Sequence, residues 1–382
     1  MQSFLQLVAH DLYAKIGNDL SRTALIFPNK RANLFFNEYL AGESDQPIWS
    51  PAAMSISDLF QKLSVQKSGD PIRLVCELYK VFKEETQSQE TLDDFYFWGE
   101  LLISDFDDVD KNMVDADKLF SNLQDLKNLM DDYEFLDKEQ EEAIQQFFQN
   151  FSIERRTELK EKFISLWDKL GTIYHHYREN LTELGIAYEG MLYRNVIEQL
   201  DTDQLKYDKY IFVGFNVLNK VENEFFRKLK DAGKALFYWD YDIFYTQQIR
   251  KHEAGEFLKR NLGEFPNELP ESFFDIFKEP KKIRYISAST ENAQARFLPE
   301  WIKMITDNHS QIAEEKEKEN AVVLCNEALL LPVLHSIPQE VKNVNITMGF
   351  PLAQTPVYSF INAAMELQTN GYRSDTGRFT YE

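Results

Sequence analysis

The stretch Tyr207 to Asp242, YDKYIFVGFNVLNKVENEFFRKLKDAGKALFYWDYD, decides the fold. Tyr210 to Phe215 is a short, β-rich apolar run. Val221 to Leu229 repeats apolar residues at helical spacing, and Ala235 to Trp239 is a second apolar run after a Gly233 stop. Strand, tight turn, helix and strand in that order make one βαβ unit.

Working outward, Thr23 to Phe27 predicts another strand, Pro28-Asn29-Lys30-Arg31 a turn, and the next residues a helix with Leu34, Phe35, Tyr39 and Leu40 facing inward. The N-terminus reads as an amphipathic helix with Phe4, Leu5, Val8 and Leu12 on one face. From Ser55 to about Leu200 there is no convincing strand. Helical spacing runs over Ile56 to Leu63, Ile72 to Glu85, Leu92 to Phe106, Val114 to Tyr133, Lys138 to Phe151 and Glu158 to Asn180. The αβ rhythm returns with a strand at Ile283 to Ser287 and a helix from Glu291 to Ile305. After the charged segment His309 to Glu319 come a strand (Ala321 to Cys325), a helix (Glu327 to Ser336), a short strand (Val344 to Thr347) and a helix (Pro356 to Leu367). No repeat of fixed period is present.

The expected class is α/β, a sheet core with a large inserted helical subdomain. Residues 1–55 and 201–305 form the first α/β domain, 56–200 the helical insertion, and 306–382 the start of a second α/β domain. The polar tail from Thr369 to Glu382 follows so soon after a fresh αβ start that a segment of a longer protein is expected.

With 382 residues, 43% of them hydrophobic, the chain can bury a sizeable core. Its net charge of −21 opposes phosphate contact over the whole surface, so any DNA contact must be local. Cys76 and Cys325 lie far apart and suggest neither a disulfide framework nor a zinc site. No run of about eighteen apolar residues exists, and the charged N-terminal helix lacks a cleavage site. A soluble, cytoplasmic protein is expected.

The familiar chemistries are missing. A nucleotide-driven motor carries acids at the end of its core strand for magnesium and the attacking water, whereas this strand ends Val213-Gly214-Phe215-Asn216. No G-x-x-x-x-G-K-[ST] phosphate loop exists, and the only Gly-Lys pair, Gly233-Lys234, has neither the cradle nor the hydroxyl. The acidic run Asp105, Asp107, Asp108, Asp110, Asp115, Asp117 puts Val109 and Asp110 where a calcium loop needs a ligand and Gly, so it reads as a solvated helix junction. No histidine pair has metal-binding spacing, no G-x-S-x-G elbow occurs, and the Glu-x-Lys matches fall inside helices. No metal and no cofactor are expected.

Basic residues cluster at Lys30-Arg31, at Arg155-Arg156 with Lys160 and Lys162, and at Lys281-Lys282 with Arg284. The last two read as ordinary solvated charge. Lys30-Arg31 sits in a strand-to-helix turn, where backbone N–H groups and the helix dipole favour phosphate.

Several patches in order resemble the helicase-like half of AddB-type proteins, partner subunits of bacterial AddAB helicase-nucleases. They are TALIFPNKRANLFF at Thr23 to Phe36, PIWSPAAMSISDLF at Pro47 to Phe60, FYFWGELLISDFDDVD at Phe95 to Asp110, IFVGFNVLNKVENEFFRKL at Ile211 to Leu229, RYISASTENAQARFLPEWI at Arg284 to Ile302, and two stretches within Ala321 to Leu367. The resemblance implies a P-loop NTPase or superfamily 1 helicase-like parallel sheet with degenerate ATPase positions at Val213, Gly214, Phe215 and Asn216. It implies a role in DNA double-strand-break repair and recombination, with DNA and an AddA-type helicase-nuclease subunit as partners. Family members end in a PD-(D/E)XK nuclease domain, none of which lies in this sequence. Asn29, Lys30 and Arg31, and then Thr290 and Asn292 at a later strand-to-helix turn, are the expected DNA-backbone contacts. The rival reading is a protein-interaction scaffold that touches no nucleic acid, and a third is a nucleotide-binding enzyme with non-standard residues.

Overall fold

The computed structural model describes residues 2–120, 169–247, 253–305, 320–374 and 376–379. The chain divides into two compact units, Met1–Glu279 and Pro280–Glu382.

In the first unit the decisive stretch folds as β5 (Lys209–Val213), a helix (Lys220–Asp231) and β6 (Ala235–Tyr238). Asn219 caps the helix, and its side chain and that of Glu222 each take the other's backbone N–H. Gly233, at φ 66°, ends it in the left-handed region. Upstream lie α1 (Phe4–Ile16), β1 (Thr23–Phe27), α2 (Ala32–Ala41) and β2 (Ala52–Ser55). The four strands form one parallel sheet in the order β2-β1-β5-β6.

That order reverses at the sheet centre. From β1 the chain crosses outward to β2, and from β5 it crosses outward the other way to β6. Right-handed crossovers in opposite directions put their helices on opposite faces. The strand residues alternate accordingly: Leu25, Phe27, Ile211 and Val213 pack with Phe36 and Leu40 of α2 and with α1, whereas Ala24, Ile26, Tyr210 and Phe212 pack with Val221, Phe225, Phe226 and Leu229. Beyond β6 the sheet edge is covered by an irregular segment, where Glu268 N–H donates to the Phe237 carbonyl (2.9 Å). There the Asn267 amide bonds both the N–H and the carbonyl of Trp239 (3.1 and 3.2 Å).

The helical block belongs to this unit. Its described helices are α3 (Ile56–Leu63), α4 (Pro71–Thr86), α5 (Leu92–Lys111), α6 (Leu170–Glu183) and α7 (Glu189–Gln199), with α8 now denoting Lys220–Asp231. The expected helix Lys138 to Phe151, and parts of those at Val114 to Tyr133 and Glu158 to Asn180, lie outside the described residues.

Several expectations need correction. β2 is a strand where none was expected, because Ala52-Ala53-Met54-Ser55 is too short and weakly apolar to announce one. Inside the helical block, Lys67–Ser68 (β3) and Ile186–Ala187 (β4) form a two-residue parallel pair. On α2 the buried side chains are Phe36 and Leu40, while Leu34 is 70% and Phe35 45% exposed. Three consecutive apolar residues, Leu34-Phe35-Phe36, leave helical periodicity unable to choose a face.

The acidic run is not simply a solvated junction. Asp110 is fully buried and bonds four side chains: Oδ1 accepts from the Tyr174 hydroxyl (2.6 Å), Arg178 Nη1 (2.5 Å) and Arg194 Nη1 (3.3 Å), and Oδ2 from the Tyr188 hydroxyl (2.5 Å). These partners come from α6, α7 and the residue between β4 and α7, so one carboxylate ties α5 to both helices. Burial, with the Asp110 charge alongside, pushes the Tyr188 phenol far above its ordinary pKa. Next to this node the Gly190 N–H donates to Asp107 (2.5 Å), and a Cβ on Gly190 would stand 2.4 Å from the Asp107 carbonyl oxygen. Glycine is what lets α7 approach α5.

In the second unit no ladder forms at Ile283 to Ser287, Ala321 to Cys325 or Val344 to Thr347, the three expected strands. Tyr285 (93%) and Val323 (84%) stay exposed, and β-rich residues without a partner strand or a surface to cover have nothing to hold them extended in a ladder. The expected helix Glu291 to Ile305 is two, α9 (Glu291–Arg296) and α10 (Leu298–Ile305), with Pro299 beside the break. Later come α11 (Leu330–Ser336), α12 (Pro356–Thr369) and, in the polar tail, a two-residue antiparallel pair, Tyr372–Arg373 with Arg378–Phe379.

Asp110→Ala should lower stability by about 3–5 kcal/mol, since two arginines lose their buried counter-charge. Gly190→Ala should cost about 1–3 kcal/mol through overpacking. Urea unfolding followed by circular dichroism checks both, and an Asp110→Ala loss below that of a typical surface substitution would show the node to be dispensable.

Candidate nucleic-acid interface

In an open parallel α/β sheet the ligand position is the carboxyl edge where strand order reverses, here between β1 and β5. The turns emerging there are Pro28–Arg31 after β1 and Gly214–Asn219 after β5, with the start of α3 after the neighbouring β2.

In the first turn Asn29 bends back on its own backbone: Oδ1 accepts from the N–H of Arg31 (3.1 Å) and of Ala32 (3.3 Å). The N–H groups expected to hold phosphate therefore already have an acceptor. Lys30 Nζ lies 3.0 Å from Asp58 Oδ1, with the lysine side chain 75% exposed. Asp58 is the N3 residue of α3, in a reciprocal capping box with Ser55. The Ser55 hydroxyl holds the Asp58 carboxyl below the ordinary range, opposed by desolvation and assisted by Lys30. Arg31 is exposed at the N-cap of α2. This turn is thus a cationic projection whose lysine rests on one carboxylate and can exchange it for another anion.

The second turn holds the four degenerate positions. Val213 ends β5 and is buried, and Phe215 is buried against Phe212 and Phe226. Gly214, at φ 73°, donates its N–H to the Tyr238 carbonyl (2.9 Å). A Cβ there would meet only Phe4 of α1, 3.7 Å away, so backbone conformation rather than crowding calls for glycine. The Asn216 carbonyl accepts from Asn261 Nδ2 (2.6 Å). No carboxylate stands at these four positions.

No protein-family model matches the chain, and no curated protein matches it either. The chemistry of the edge has to be taken from its own residues.

Around the carboxyl end of β2 lies a cluster that the sequence reading missed. Lys111 Nζ is 2.7 Å from both Asp107 Oδ2 and Glu189 Oε2, and Glu189 Oε1 accepts from the Ser57 (3.2 Å) and Tyr193 (2.9 Å) hydroxyls. It joins α3, α5 and α7. Glu222, opening α8, senses the same cluster. Burial raises its carboxyl above the ordinary range, opposed by the Asn219 N–H and by Lys111 and assisted by Glu189. The capping patterns Ser55-x-x-Asp58 and Asn219-x-x-Glu222 were the signals available for Asp58 and Glu222. Nothing local could have paired Lys111 with Glu189, which is 78 residues away.

Thr290 and Asn292 belong to the second unit. Thr290 caps α9 through Ala293 N–H (3.1 Å), and Asn292 is exposed on that helix, lining an open cavity of about 930 Å³ with Arg296, His335 and Ser336. Lys281, Lys282 and Arg284 are exposed on a segment without regular secondary structure, whereas Arg155, Arg156, Lys160 and Lys162 lie outside the described residues. Among the described residues no group of three or more His, Cys, Asp or Glu is placed to hold a metal ion, and no helix is long and apolar enough to cross a membrane.

The raised Glu222 carboxyl gives a pH prediction. The folded chain keeps this proton to a higher pH than the unfolded chain does, so the Glu222 contribution to stability falls as pH rises from the ordinary carboxylate range through the folded value. Glu222→Gln can still accept the Asn219 N–H but stays neutral. It should equal or exceed the wild-type stability at about pH 7, and the difference should move against the variant near about pH 4, where wild-type Glu222 is also neutral. Urea melts at the two pH values test this; a variant that loses more at the higher pH would refute the sign.

Proposed function

We propose that this chain is a helicase-like scaffold that holds a DNA strand at the carboxyl edge of its parallel sheet, without catalysing a reaction there. In this reading it serves an AddB-type double-strand-break repair and recombination system in the cytoplasm. An AddA-type motor subunit and a PD-(D/E)XK nuclease module supply the chemistry. The sheet has the degenerate form of a P-loop NTPase or superfamily 1 helicase core.

The observation that carries the proposal is the pairing of two turns at the strand-order reversal. One, Asn29–Arg31, projects cations where such sheets take ligands, and the other, Val213–Asn216, lacks the acids that nucleotide hydrolysis needs. Lys30 would exchange Asp58 for a backbone phosphate, Arg31 would add a second contact, and Asn29 would keep the turn in shape. Thr290 and Asn292, in the second unit, would be backbone contacts of their own.

A protein-interaction scaffold is the second reading. It is favoured by the net charge of −21 and by the Asn29 side chain already occupying the N–H groups of Arg31 and Ala32.

Fluorescence anisotropy with a labelled single-stranded oligonucleotide across a salt series separates the two. For the scaffold that holds DNA, Lys30→Ala with Arg31→Ala should weaken binding at least about tenfold and reduce the slope of log K against log salt by about 1.4, the loss of two phosphate contacts. Asp58→Asn, which releases Lys30, should tighten binding a few-fold, to within about 1 kcal/mol. Absence of binding at low salt, or affinity unchanged in both variants, would favour the second reading.

A further inference from the structure

On α5, helical spacing separates two populations. Phe95, Gly99, Phe106, Val109 and Asp110 face the core, whereas Phe97, Trp98, Leu101, Asp105 and Asp108 stand on the opposite side. Taken at 3.6 residues per turn, Phe97, Leu101, Asp105 and Asp108 fall at i, i+4, i+8 and i+11, one stripe with Trp98 at its margin. The apolar members are open: Phe97 is 69%, Trp98 39% and Leu101 44% exposed, and the two aromatic rings meet edge to face at 5.8 Å. Phenylalanine and tryptophan are residue types enriched at protein interfaces, and with Leu101 on the next turn they leave an apolar patch whose exposure costs solubility without benefit to the core.

Charge then selects the occupant. Asp107 and Asp110, on the inward side of the same two turns, are neutralised by Lys111, Arg178 and Arg194. Asp105 and Asp108 have no cationic partner among the described residues, and they sit one helical turn apart. Partial burial, and then the Asp108 charge, raise the Asp105 carboxyl above its ordinary range, so the pair is short of positive charge. The stripe therefore presents apolar anchors over its first turns and uncompensated carboxylates over its last.

We propose that the exposed face of α5 is a docking site for a basic amphipathic helix of a partner protein. The partner's apolar side chains seat against Phe97, Trp98 and Leu101, and its lysines or arginines reach Asp105 and Asp108. A helix laid along α5 meets this pattern with anchors at i, i+3 or i+4 spacing and cations one to two turns away. An acidic or single-stranded nucleic-acid partner is disfavoured by the same carboxylates. The proposal is independent of whether the sheet edge holds DNA, since it uses none of that edge's residues.

The test uses the 382-residue chain and a fluorescein-labelled helical peptide of leucine, alanine and lysine in which one face is apolar and one end basic. Two controls accompany it, the same composition scrambled to abolish the apolar face, and the peptide with glutamate for lysine. Saturable binding of the first peptide alone is expected. Phe97→Ser with Trp98→Ser should weaken it about tenfold or more. Asp105→Asn with Asp108→Asn should weaken it about threefold and flatten its salt dependence. These side chains are exposed, so thermal melts of both variants should match wild type. Should the aromatic variant melt early, Leu101→Lys replaces it, with the same loss expected. The proposal is overturned by lack of binding to the wild-type chain, by equal binding of the scrambled peptide, or by affinity unchanged in the variants. Sedimentation showing a wild-type dimer that Phe97→Ser with Trp98→Ser dissolves would overturn it too, by making a second copy of the chain the occupant.

Discussion

Both faces of β1 and β5 are buried, and this constraint organises the first unit. A strand covered on one side alternates apolar with polar residues, but here Ala24, Leu25, Ile26 and Phe27 are all enclosed, as are Tyr210 to Val213. Each strand must then find cover above and below, and only crossovers leaving in opposite directions supply it: α1 and α2 on one side, α8 with the helical block on the other. The reversal of strand order at β1 and β5 follows from the same requirement. It leaves the turns after these two strands side by side at the carboxyl edge, where no helix of either crossover lies between them.

The helical block is held by a different kind of interaction. Asp110 pays its desolvation cost with four hydrogen bonds, two of them charged, so its partners must be in place before the carboxylate can be buried. Such a node contributes more to fixing which helices meet than to net stability. The Gly190 contact beside it sets how closely α7 approaches α5, and through Glu189 and Lys111 that approach reaches α3 and the end of β2. The outward side of α5 takes no part in this and keeps its aromatic and acidic side chains for another surface.

The strand-helix-strand unit from Lys209 to Tyr238 was legible residue by residue, because a β-rich run of five, a capped amphipathic helix and a glycine stop are local signals. So were β1, α3 and α4, which fall within a residue or two of their expected bounds. Failures came where the deciding partner was distant. β2 is a strand because β1 offers it a ladder, and Phe36 rather than Phe35 turns inward because the crossover aims α2 that way. Ile283 to Ser287 has strand composition, but no strand pairs with it among the described residues. At the candidate edge, Asn29, Lys30 and Gly214 stood out through turn chemistry, but the Lys30–Asp58 and Lys111–Glu189 pairs could not, since ion pairs between separate elements leave no trace in spacing.

The sequence by itself determined the α/β class, the order of its central elements, the absence of a phosphate loop and the lack of acids at Val213 to Asn216, all of which are properties of contiguous residues. Only the tertiary structure decided that strand order reverses between β1 and β5, that Asp110 is a buried junction rather than part of a solvated run, and that Phe97 and Trp98 face outward. Hydrophobic periodicity says that a residue seeks cover, and the packing of separate elements decides which residues receive it.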